Sequence, residues 1–235
     1  VTEWEAAREP FSLLQSLRAD PPADSHRLVW LFAIACARQV WNLLPTDALS
    51  ALSVAERYVD GVATVTDLVA VTSDVLSHPV TAAGHALLAA YCAVSGDHLS
   101  RTGPFAGVAV WQAADSAARS IASRWAGPAP LRVGPNWHER WTAGMAAARA
   151  VQADLVRCIF LPPGTPPPAF DPDWRTSAVR RLADAMYEAR DFAPMPILAD
   201  ALQDAGCEDA AVLAHCRGPG PHARGCWVVD LVRGS

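Results

Sequence analysis

The 235-residue chain contains no lysine; all 19 of its cationic side chains are arginine. This absence excludes a Walker-type phosphate loop, in which a lysine ammonium must reach the phosphates. Charge of either sign is scarce, at 18% of residues, and the net charge is −5 with a pI near 5.8. Such a chain lacks the concentrated positive surface that bulk nucleic-acid binding needs. Long apolar runs are missing too. The longest, Leu28 to Ala37, is ten residues, whereas a membrane span needs about 20. The first residues, VTEWEAAREP, show no basic stretch leading into an apolar one. No secretory signal and no membrane partner are therefore expected, and the compartment expected is the bacterial cytoplasm.

Several catalytic patterns are also absent. There is no G-x-G-x-x-G, no H-E-x-x-H and no G-x-S-x-G, so dinucleotide loops, zincin helices and nucleophile elbows have no candidate. No Glu-x-x-His pair occurs, which removes the di-iron reading of a helical bundle. No C-x-x-C occurs either, so neither thioredoxin chemistry nor an ordinary zinc ribbon is supported.

What the chain does have is alanine, 46 residues of it, within a 51% hydrophobic composition. Disordered chains are poor in apolar residues, and this one is not. Apolar positions recur at helical spacing nearly throughout, which predicts an all-α, irregular multi-helix bundle of about nine to eleven helices. The segment LVWLFAIACA is apolar on every face and belongs at the centre of a helix over about 26–44, capped by Asp24 or Ser25 and closed by Pro45. Helices are expected from Thr46 to about Val59, with Gly61 as the stop, and over about 66–77 and 81–95. A stripe of Val108, Trp111, Ala114, Ala118, Ile121 and Trp125 predicts one amphipathic helix within 104–126. A second, about 137–160, turns Trp141, Met145, Ala148, Leu155 and Ile159 inward. Residues 161–174, LPPGTPPPAFDPDW, carry six prolines and cannot be helical. The expected organisation is an N-terminal helical lobe over 1–160, a proline-rich strap or linker over 161–173 and a C-terminal helical lobe over 174–235, with one continuous domain as the alternative. Helices in the last lobe are expected over about 177–190, 196–205, 208–216 and 222–232.

The six cysteines divide into two populations. Cys36, Cys92 and Cys158 lie in apolar helical patterns and read as buried thiols, because cysteine packs as a small hydrophobe. Cys207, Cys216 and Cys226 share the last 29 residues with His215 and His222. In a reducing compartment these are thiols or metal ligands rather than disulfides. If 208–215 is helical, Cys207 and Cys216 stand about 13 Å apart, too far to share one ion. The remaining set is Cys216, His222 and Cys226 with His215 or Asp230 as a fourth. Such a set suits a zinc-like ion.

Two other readings stay open. One is a catalytic row of His222, Cys226 and Asp230, stepping by four along one helix face as base, thiol and carboxylate. The other is a plain helical cap whose thiols are buried and whose histidines finish helices. Arg217, Arg224 and Arg233 make the tail locally positive, as an anion site or a solvated face. Trp137, Arg140 and Trp141 suggest an aromatic surface, or one core and one half-exposed Trp.

The stretches HRLVWLFAIACARQVWNLL and ALSVAERYVDG, and MPILADALQDAGCEDAAVLAHCRGPGPHARGCWVVDLV more specifically, resemble a group of uncharacterised planctomycete proteins. The resemblance covers residues 24–61 and 171–235. It implies a bacterial, cytoplasmic, mostly helical protein that works beside other modules, and it brings no activity. Together these readings favour a non-enzymatic protein whose partner is another protein, with metal binding or cysteine chemistry in the C-terminal cluster as the alternative.

Overall fold

In the computed structural model the described residues are 2–22, 24–76, 108–127 and 134–234. The fold is all-α. Among the described residues there are eleven α-helices, two short 3-10 turns and no strand. None of these helices is long and apolar enough to cross a membrane. The chain divides into two compact units, Val1–Ala153 and Asp154–Ser235. The expected helix over 81–95, with Cys92, lies outside the described residues.

The first unit contains α1 (Glu3–Ala6), α2 (Pro10–Ser16), α3 (Ser25–Arg38), α4 (Thr46–Val59), α5 (Val65–Leu76), α6 (Val108–Ala126) and most of α7 (Pro135–Ile159). Local chemistry sets several starts. Thr2 and Glu5 exchange side-chain and backbone hydrogen bonds across the first turn of α1, satisfying donors the helix leaves unpaired. Thr64 and Asp67 do the same for α5, and the Thr64 hydrogen bonds hold the Asp67 carboxyl below its usual range. The all-apolar run does form the centre: Val29 to Ile34 are consecutively buried in α3, which packs against α4 and α6. The helix ends at Arg38, earlier than expected, and a 3-10 turn at Trp41–Leu43 carries the chain to Pro45.

Two buried polar side chains of this unit are paired. Glu56, 1% exposed, takes Arg38 Nε at 2.5 Å and Nη2 at 2.9 Å. Gln152, also 1% exposed, donates to the Ala114 carbonyl at 2.8 Å. Unpaired, each would cost on the order of 1–3 kcal/mol.

The stripe expected on α6 is rotated. Val110, Ala113, Ala114, Ala117, Ala118 and Ala122 are buried, Ser116 and Ser120 join them, and Trp125 is 55% exposed. A face of small residues lets a neighbour approach closely, and α7 supplies that neighbour with Met145 and Ala148. The α7 residues expected inward are buried, except Trp141, which is half-buried. Trp137 and Trp141 stack at 6.4 Å between ring centroids, both half-buried, and the Trp137 indole donates to the Gly127 carbonyl. Neither is the core Trp that the sequence suggested.

Gly144 marks the closest approach. A Cβ there would stand 2.8 Å from the Ala122 Cα and 3.2 Å from the Trp125 Cβ. Glycine inside a helix costs about 1 kcal/mol against alanine, so its presence implies that a methyl does not fit. Overpacking costs roughly 1–3 kcal/mol. Gly144→Ala is therefore expected to destabilise the protein, read as a lower urea midpoint, despite the gain in helix propensity. A higher midpoint would show that α6 and α7 are not held this closely.

Candidate metal centre

The second unit holds the last residues of α7, a proline-rich segment, a 3-10 turn at Pro172–Trp174, and four helices. These are α8 (Ser177–Ala189), α9 (Met195–Asp204), α10 (Ala210–Arg217) and α11 (Trp227–Arg233). The proline-rich segment is extended and mostly exposed, with Phe170 and Trp174 packed on the unit's core. Thr176 caps α8, Asp209 caps α10 through the amides of Ala211 and Val212, and Arg175 donates twice to the Leu231 carbonyl near the end of α11. The core between the helices contains Val179, Met186, Leu198, Leu202, Val228 and Val232, and with them Cys158, Cys207, Cys216 and Cys226.

Four side chains converge in this unit. Cys158 comes from the final turn of α7, His215 from the last turn of α10, His222 from the loop beyond it, and Cys226 from the residue before α11. One candidate ligand atom from each lies within 4.8 Å of all the others. His215 Nε2 stands 3.2 Å from Cys226 Sγ, and Cys158 Sγ stands 3.6 Å from His222 Nδ1. The His215 and His222 rings meet edge to face at 5.0 Å. The cysteines are 0–2% exposed and the histidines half-buried.

Tetrahedral zinc, with bonds near 2.3 Å to sulfur and 2.0–2.1 Å to nitrogen, sets its ligand atoms about 3.3–3.8 Å apart. The 3.6 Å pair falls inside that window and the 3.2 Å pair just below it, and a pair at the 4.8 Å limit must contract by about 1 Å. The group has the composition and size to hold a metal ion.

The electrostatics distinguish the four thiols of this unit. Burial pushes Cys158 well above its ordinary range, and the neighbouring Cys226 sulfur adds to the shift. Burial acts upward on Cys226 as well, yet hydrogen bonds from Cys158, His215 and His222 outweigh it and hold Cys226 well below its ordinary range. Cys216 and Cys207 are raised by burial. A further sign of an incomplete environment is His222 Nε2, which is buried with no hydrogen-bond partner. Such a group costs on the order of 1–3 kcal/mol.

Comparison with known families, curated proteins and solved structures gives no match.

Of the candidates named from the sequence, the fold brings His215, His222 and Cys226 together. Cys216 is outside the group and faces the apolar core, fully buried. The reason is helical geometry: successive residues point about 100° apart, so α10 cannot aim both His215 and Cys216 at one centre. Cys158 takes the place in the group, although its sequence setting suggested core packing alone. The expected row of His222, Cys226 and Asp230 on one helix face does not form. Helix α11 begins only at Trp227, so His222 lies in the preceding loop, Cys226 caps the helix, and Asp230 is buried within it. The three tail arginines are engaged: Arg217 with Asp200 and Gln203, Arg224 with the Tyr187 carbonyl and ring, Arg233 with Asp184 and the same ring.

The loop that delivers His222 depends on Gly220. Its φ is +74°, and an added Cβ would meet His222 N at 3.2 Å and the imidazole Cδ2 at 3.3 Å. Gly220→Ala is expected to lower stability by roughly 1–3 kcal/mol in denaturant unfolding, with displacement of the His222 ring resonances. Unchanged stability and resonances would contradict this placement.

Proposed function

We propose that the C-terminal unit is a zinc-dependent structural module in which Cys158, His215, His222 and Cys226 hold one ion, and that the protein is non-enzymatic. The observation that supports this most is the convergence of two sulfurs and two imidazoles within 4.8 Å. Two thiolates with two imidazoles suit zinc better than calcium or magnesium, which take oxygen ligands. Four protein ligands leave no open position for substrate, the mark of a structural rather than a catalytic site. His222 faces the group through Nδ1, the nitrogen that would take the ion.

The ion would join the end of α7, α10, the 218–226 loop and the start of α11, and so fix the module's surface. The role assigned to that surface is binding another protein. Ile197 on α9, 61% exposed, is the most solvent-facing large apolar side chain described in this unit. All five described cysteines are free thiols, in keeping with a reducing compartment such as the bacterial cytoplasm.

The test uses the full chain purified without a histidine tag from zinc-supplied cells. About one equivalent of zinc is expected, and its removal by a chelator should lower the melting temperature. Cys158→Ser, His215→Ala and Cys226→Ser should each lose the metal, whereas Cys216→Ala should keep it. Less than about a tenth of an equivalent, with no uptake by the metal-free protein, would refute the proposal.

A further inference from the structure

His215 stands between two groups with opposing demands. The Trp227 indole Nε1 donates to His215 Nδ1 at 3.1 Å, and His215 Nε2 faces Cys226 Sγ at 3.2 Å. The rings of His215 and Trp227 also pack, with centroids 4.9 Å apart. An indole nitrogen can only donate. Nδ1 must therefore offer its lone pair, and a neutral imidazole then carries its proton on Nε2, directed at the Cys226 sulfur.

A metal ion needs the reverse. Nε2 must present its lone pair, which places the proton on Nδ1. Ligating histidines almost always donate that other N–H to a carboxylate, a carbonyl or water. At His215 the neighbour in that position is another N–H donor. Two N–H groups cannot share a bond, so ligation through Nε2 and the present indole contact exclude one another.

We infer that Trp227 sets the metal affinity of this centre: its indole holds His215 in the tautomer that cannot ligate, and an ion enters only as the indole leaves Nδ1. The inference rests on the proposed zinc centre. Trp227 is a positioning residue, acting through His215 without touching the ion. It follows Cys226 directly, so its movement is transmitted to the first turn of α11. The device makes the metal-free module self-consistent around His215, and it makes the loaded module weaker in affinity than its four ligands alone would give.

The test compares wild type with Trp227→Phe in the full chain, using zinc chloride in competition with a chromophoric chelator. Phenylalanine keeps most of the ring packing and lacks the donor. We expect Trp227→Phe to bind zinc about tenfold more tightly, the scale of one lost competing hydrogen bond, with equal or lower stability when metal-free. A merely structural role would move affinity the other way. The second measurement needs no variant: in indole-15N-labelled wild type, the Trp227 N–H resonance should shift on zinc addition as its acceptor is lost. Wild type that takes up no zinc would defeat the zinc centre and this inference with it. Wild type that binds one zinc while Trp227→Phe binds equally or more weakly, or while the indole resonance stays unmoved, would overturn the inference alone and leave the centre standing. If Trp227→Phe fails to fold, the indole resonance decides.

Discussion

Two sulfurs and two imidazoles gathered in one small apolar core are the constraint on which the C-terminal unit depends. Polar, ionisable groups are costly to bury unless each is given a partner. Here the cost is reduced locally, by hydrogen bonds among Cys158, His215, His222 and Cys226, but not removed, because one nitrogen of His222 has no partner. The proposed ion would draw two buried thiols and two half-buried imidazoles into one closed polyhedron.

Size makes such a device useful. A unit of roughly 80 residues buries a limited fraction of its surface, and small domains commonly add a staple to an insufficient core. Helices α10 and α11 are eight and seven residues long, too short to be stable by propensity. Their ends are secured by Asp209 and by Arg175, and the four-residue cluster ties both to the end of α7. The first unit solves the same problem differently, with the apolar α3 at its centre, alanine faces brought close at Gly144, and paired polar groups at Glu56 and Gln152.

Much of the helical architecture was legible because it rests on local rules. Helix α4 starts at Thr46 and stops before Gly61 as expected, although Pro45, not Thr46, takes the cap position and no side chain caps it. The fully apolar segment 28–37 could only be central. The rotation of α6 was harder to read, because its buried face is alanine and serine, and tryptophan outweighs both in any reading of hydrophobic periodicity. The candidate centre was half legible. His215, His222 and Cys226 stood out by density alone. Cys158 did not, since it lies 64 residues before His222 and shares its surroundings with ordinary core residues; only tertiary packing brings it in. Cys216 drew attention for the same density and faces the opposite way, which the 100° step between neighbours on α10 explains once the helix limits are known. The unwound stretch 218–226 was the remaining difficulty. Glycine and proline there mark a break, but not how far it runs, and the start of α11 decides that His222 approaches from a loop.

X-ray absorption at the zinc edge of the purified full chain tests the central claim most directly. The account predicts a four-coordinate first shell of two sulfurs at about 2.3 Å and two imidazole nitrogens at about 2.0–2.1 Å. A shell of nitrogen and oxygen without sulfur, or one of higher coordination number, would contradict it.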